Sequence, residues 1–138
     1  MPAEKNKWID ATAKLLELTQ EGRLIWDPHE PPDYLNSQAD KQVDVVYKTL
    51  YKDRMLRLYE LRFKVDKPDL YRGAASIFDY EREFPYWTKR TVLELLDQNG
   101  LSPWAFPQTA VLDDLLESVR YHVSGVKNFM DEILAEAS

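Results

Sequence analysis

Arg57 and Arg62 fall close together in a strand-like segment that also carries Lys64, Lys52 and Arg54 stand in the turn that leads into it, and Trp87 stands beside Pro85 just before another such segment. A guanidinium recognises a carboxylate or phosphate through paired N–H donors, while an indole face holds a cation or a base by stacking. Brought together, these four residues would line a cleft that accepts an anion or a peptide. Read blandly, the arginines are the solvated outer side of a sheet and the four tryptophans (Trp8, Trp26, Trp87, Trp104) are core, with Trp87 the exception.

Signals for catalysis are sparse. Asp79, Glu81, Glu83 and Glu94 can act as a general acid and base only if the fold makes them converge, and such acidic clusters are usually solvated faces. His29 lies in a proline-rich loop and His122 at the edge of an apolar stripe, with no HExxH pair, so no metal site is expected. There is no cysteine, which excludes thiolate chemistry and disulfides and is neutral between compartments. No GxSxG elbow occurs, and four glycines leave little material for a phosphate-cradling loop. The expectation is a chain without a cofactor that is not an enzyme.

The 138 residues suit one α+β domain, 1–138, and a 44% hydrophobic content is enough to form a core. A net charge of −6 opposes binding to nucleic acid or to an anionic membrane. The charge is uneven: between Lys41 and Lys64 seven basic residues face three acidic ones, giving +4 there and −10 elsewhere. That basic region is either a docking patch for an acidic partner or solvated charge. No apolar run approaches the ~20 residues that span a bilayer, and no apolar signal-peptide core follows Met1, so the expected location is the cytoplasm.

The elements that must position these residues follow from periodicity. Asn6 to Glu21 is a helix with Trp8, Thr12, Leu15, Leu16 and Thr19 on one side, ended by Gly22. Arg23 to Trp26 is a short strand, and a loop runs from Pro28 to Gln42. Val43 to Tyr51 and Met55 to Val65 form a hairpin turning at Lys52-Asp53-Arg54. Asp66 to Pro85 is ambiguous between helix and strand. Thr88 to Asp97 and Leu101 to Phe106 form a second hairpin about Asn99-Gly100.

Leu112, Leu116, Val119, Val123, Val126, Met130 and Ile133 then mark a helix from Thr109 to Glu136, with Thr109 as N-cap and Asp113 and Asp114 near its positive end. As one piece it would run roughly 40 Å, longer than a strand of about 20 Å. Either Gly125 breaks it, or its far half needs another neighbour.

The central hairpin is two-faced. Met55, Tyr59, Leu61, Phe63 and Val65 share one parity and read as core, but Leu56 and Leu58 lie on the other, as do Val46 and Leu50 relative to Val45, Tyr47 and Tyr51. The second face is covered either from within, by the first helix or the Pro28 to Gln42 loop with a bulge shifting the phase, or by a partner. Under the partner reading the interface comprises Val46, Leu50, Leu56, Leu58, Val126 and Met130.

The expected architecture is therefore an N-terminal helix, an antiparallel sheet of four to five strands, and a long C-terminal helix packed on the sheet. The expected function is that of a small acidic accessory protein that recognises another protein as a homodimer. The alternative is a binder, or hydrolase, of a nucleotide or anionic small molecule, using the arginine and aromatic cleft beside the central hairpin.

Overall fold

The computed structural model describes residues 2–66, 84–99 and 104–136. Helix α1 spans Pro2–Gln20. It ends in a Schellman cap: Gly22 is left-handed at φ +73°, the Arg23 N–H donates to the Leu18 carbonyl at 2.9 Å, and the Gly22 N–H donates to the Thr19 carbonyl at 3.1 Å. Just beyond, Leu24 and Trp26 turn into the core, and the Trp26 indole N–H donates to Thr19 Oγ1 at 3.0 Å. These anchors take the place of the strand expected over Arg23 to Trp26. The first strand, β1, forms afterwards, at Asp27–His29.

The expected loop from Pro28 to Gln42 carries one 3-10 turn, Asp33–Asn36, and ends in a short strand β2, Lys41–Gln42. Strands β3, Val46–Tyr51, and β4, Arg54–Val65, form the central hairpin. Lys52 and Asp53 have φ of 50° and 64°, the paired left-handed residues of a type I′ turn, whose twist matches that of the strands it joins. Arg54 is already the first residue of β4, opposite Tyr51.

Strand β5, Tyr86–Leu95, lies antiparallel on the other side of β4, and β6, Trp104–Ala105, pairs with the end of β5. Among the described residues the sheet has six strands in the order β1-β3-β4-β5-β6, with β2 beside β4. Most of the ambiguous stretch from Asp66 to Pro85, and Gly100 of the second hairpin's turn, lie outside the described residues.

A bulge decides which residues are inside. Gln42 pairs with Arg62 and Val46 with Tyr59, so Val43, Asp44 and Val45 oppose only Glu60 and Leu61. The extra residue resets the two-residue alternation. Val43 and Val46 consequently share one face, while Val45 packs on the other.

Both faces are covered within the chain. On one, Tyr47, Leu56, Leu58 and Leu93 meet Leu15 and Leu18 of α1 and Leu112, Leu115, Leu116 and Val119 of helix α2, Ala110–Val123. On the other, Val43, Val46, Tyr59, Leu61 and Val92 form a smaller cluster under Leu35. The Asn36 side chain clamps that cover in place, with Nδ2 on the Val43 carbonyl at 2.9 Å and Oδ1 accepting the Val43 N–H at 2.8 Å. The parity read as mixed, Leu56 and Leu58, thus faces the main core. The parity read as core forms the smaller cluster, because the bulge and the 33–36 turn supply it with a lid.

The C-terminal helix is broken. Gly125, at φ +75°, separates α2 from α3, Val126–Glu136. Thr109 stands at the N-cap of α2, but its hydroxyl makes no capping bond and is buried without a partner. Asp113 in the first turn does find one, accepting the Thr91 hydroxyl at 2.6 Å.

Candidate protein-binding surface

The arginine group expected from the sequence is dispersed by the alternation of β4. Arg57 points to the face opposite the helices and is 1% exposed. Its Nε donates to Oε1 of Glu94 at 2.8 Å, its Nη1 to the Tyr34 hydroxyl at 2.6 Å, and its guanidinium lies 5.5 Å from the Tyr34 ring and 5.7 Å from that of Tyr59. Nη2 also stands 2.8 Å from the same Glu94 oxygen, but without a hydrogen bond.

Burial pulls the Arg57 pKa down; the Tyr34 hydrogen bond and the Glu94 charge together outweigh it, and the net shift is upward. Tyr59 is pushed up as well, by burial first and by the Glu94 charge second, against the opposing charge of Arg57. The cluster fastens the 33–36 turn to the sheet, with the exposed Tyr34 at its outer edge. Arg62 is engaged too, donating to Asp44. Trp87 is half-exposed opposite Lys64, roughly 30 Å along β4 from Arg54 at about 3.3 Å per residue. The four residues do not meet.

Arg54 does border a cleft. Ala11 and Leu15 of α1, Tyr51, Leu56, Leu95 and Phe106 enclose an apolar hollow of about 410 Å³ beside the hairpin turn, within the ~300–1,000 Å³ usual for binding pockets. Lys14, Lys52 and Arg54 stand around it. Lys14 is 3.5 Å from Glu17 and Lys52 lies over the Tyr51 ring at 5.5 Å. Leu15 and Leu56 form a buried floor. An apolar hollow ringed by cations suits an apolar group carried on an acidic body. Its walls come from four separate stretches of chain, and no local pattern announces it.

The interface residues divide as well. Val46, Leu56 and Leu58 lie inside the fold at 0%, 4% and 0% exposure, so they are not on the surface of this chain. Leu50, Val126 and Met130 are exposed. The last two belong to a larger feature: on α3, Val126, Phe129, Met130, Ile133 and Leu134 are 41–64% exposed, and no residue of this helix is buried. Their spacing of three and four places them on one stripe. The exposed stripe begins directly after the break at Gly125, whereas α2 before the break buries Leu112, Leu115, Leu116 and Val119.

Helix α3 is also acidic, carrying Asp131, Glu132 and Glu136 against Lys127, and its last turn holds no basic residue. Carboxylates near a C-terminus oppose the helix dipole, so cations from outside would stabilise this end.

The remaining chemical candidates do not assemble. Glu94 is committed to Arg57, whereas Asp79, Glu81 and Glu83 fall outside the described residues. His122 is exposed, edge-on to Tyr121 with ring centroids 5.5 Å apart. Among the described residues no group of three His, Asp or Glu side chains is placed to hold a metal, and no helix is long and apolar enough to cross a membrane. Trp26 is core, while Trp8 stacks on the half-exposed Trp104 at 4.7 Å.

The arrangement is that of a small α+β domain presenting an amphipathic C-terminal helix. Comparison with models of known families, with curated proteins and with solved structures finds no match to this chain.

Proposed function

We propose that this chain is a small acidic, non-enzymatic accessory domain of the cytoplasm that recognises protein, associating with a second copy of itself through α3. The observation that carries this reading is the stripe of Val126, Phe129, Met130, Ile133 and Leu134, all exposed on a helix none of whose residues is buried. Contiguous apolar surface of this kind is rarely left in water, and a helix laid in a groove is a common way to cover it. The net charge of −6 disfavours nucleic acid and anionic lipid as partners.

The test is solution mass by light scattering across a concentration series. A mass above that of the monomer, falling on dilution and lost in Phe129→Glu/Ile133→Glu, supports the reading. A monomer at every concentration removes self-association.

A second reading retains one observation, Arg54 beside an aromatic-walled cleft. On this reading the cleft takes an anionic small molecule with an apolar or aromatic body. Thermal melts with benzoate, decanoate and ATP test it. A rise in melting temperature that disappears in Arg54→Ala supports a ligand site, and a flat response to all three discards it.

A further inference from the structure

We infer that the cleft between α1 and the central hairpin is the receptor for α3 of a second copy of this chain. The inference rests on the reading of α3 as the recognition element and adds the surface it recognises. The two features complement each other in polarity and charge. The cleft has an apolar interior, walled by Leu15, Tyr51, Leu56 and Phe106, and cations at its mouth, Lys14, Lys52 and Arg54. Helix α3 offers an exposed apolar stripe centred on Phe129 and Ile133, flanked by Asp131, Glu132 and Glu136.

Each feature is incomplete alone. The helix carries carboxylates toward the end where its dipole is already negative, with no basic residue in its last turn. Arg54 makes no ion pair among the described residues. Docking would set the carboxylates against these cations as the apolar side chains leave water, so charge would select the orientation while burial supplies most of the affinity. The acidic body of the protein repels a second copy in most orientations, and the basic rim of the cleft gives an approaching acidic helix an attractive exception.

Because the helix and its receptor are different surfaces, each can be disabled on its own and the contact restored by mixing. The cleft variant Lys52→Glu/Arg54→Glu keeps an intact α3, and the helix variant Phe129→Glu keeps an intact cleft. All three substitutions fall on exposed residues. Sedimentation is measured for each protein alone and for their equimolar mixture, with Lys41→Glu as a charge change remote from the cleft.

The expected result is that wild type and Lys41→Glu associate, each of the two variants alone associates at least tenfold more weakly, and the mixture forms a 1:1 complex that neither variant forms alone. Raised salt weakens the wild-type association. If the cleft variant associates as wild type does, the cleft is not the receptor, although α3 remains the recognition element and pairs elsewhere, for example with α3 of the other copy. If both variants are monomeric and mixing restores nothing, the inference also fails. A monomeric wild type overturns both the inference and the self-association on which it rests.

Discussion

Arg57 and Glu94 stand directly opposite each other on β4 and β5, joined through one carboxylate oxygen at 2.8 Å, and both side chains are buried at 1% and 9% exposure. The most basic stretch of the sequence therefore places one of its arginines in the interior, where it ties strand to strand and, through Tyr34, ties the covering turn to the sheet. A buried pair of this kind is weak evidence of net stabilisation, because each ion loses its hydration, yet either partner is costly to lose alone.

Removing one member should therefore be far worse than removing both. Glu94→Ala strands a buried guanidinium and should cost about 3–5 kcal/mol in urea unfolding, whereas Arg57→Met/Glu94→Leu should recover most of that loss. A single substitution that costs less than about 1 kcal/mol would show that Arg57 finds water or another partner.

Alkaline stability should report on Tyr59. Its phenol is held above the ordinary value of 10.0 by burial and by Glu94. An unfolded chain releases that proton near pH 10 while the folded chain keeps it, so the folded state binds more protons and loses stability as pH rises past about 10. Between about pH 10 and 12, Tyr59→Phe should show a shallower decline in unfolding free energy, by up to ~1.4 kcal/mol per pH unit. Parallel profiles for the two proteins would mean that the hydroxyl ionises freely in the fold.

The hairpin turn carries a conformational cost that sequence exchange can remove. Lys52 and Asp53 both occupy the left-handed region, which costs a residue with a Cβ roughly 1–2 kcal/mol. Lys52→Asn/Asp53→Gly, the preferred pair for a type I′ turn, should raise stability by about 1 kcal/mol, read as a higher urea midpoint at unchanged slope. A lower midpoint would mean that the lysine's contact with the Tyr51 ring outweighs the backbone relief.

Substitution on α3 should separate association from folding. Phe129 and Ile133 are 62% and 51% exposed, so Phe129→Glu/Ile133→Glu should leave the melt of the dilute monomer within about 0.5 kcal/mol of wild type while abolishing the concentration dependence of the mass. A large loss of stability in the dilute monomer would instead assign those side chains to the chain's own core.

Much of the architecture is legible in the order of residues because its signals are local. Gly22 ends α1 where a left-handed residue is needed, Lys52-Asp53 turns the first hairpin, and the spacing of Leu112, Leu116 and Val119 marks the packed face of α2. The displacement of the first strand from Arg23–Trp26 to Asp27–His29 has a tertiary cause: the core draws in Leu24 and Trp26, and pairing starts only once the chain is free of it.

Local order could not say what becomes of the basic stretch. Three arginines near one another in sequence read as one patch, but alternation sends Arg57 to the face opposite the helices, Arg54 borders the apolar cleft and Arg62 meets Asp44. The apolar residues on both faces of the hairpin are visible in the sequence, as is the possibility of a bulge. That Val43 to Val45 form it, and that Leu35 and Tyr34 close over it, depends on partners contributed by β4, β5 and the 33–36 turn.

By itself, then, the sequence determined the α+β class, the Gly22 end of α1, the central hairpin and the amphipathic stripe, since each depends on dihedral preference or on a repeat within a few residues. Only the tertiary structure decided which face of the sheet holds the main core, that Gly125 breaks the last helix rather than merely weakening it, and that an apolar cleft bordered by Lys14, Lys52 and Arg54 exists. Those outcomes belong to burial and charge balanced among segments distant in sequence, and no local window contains both sides of that balance.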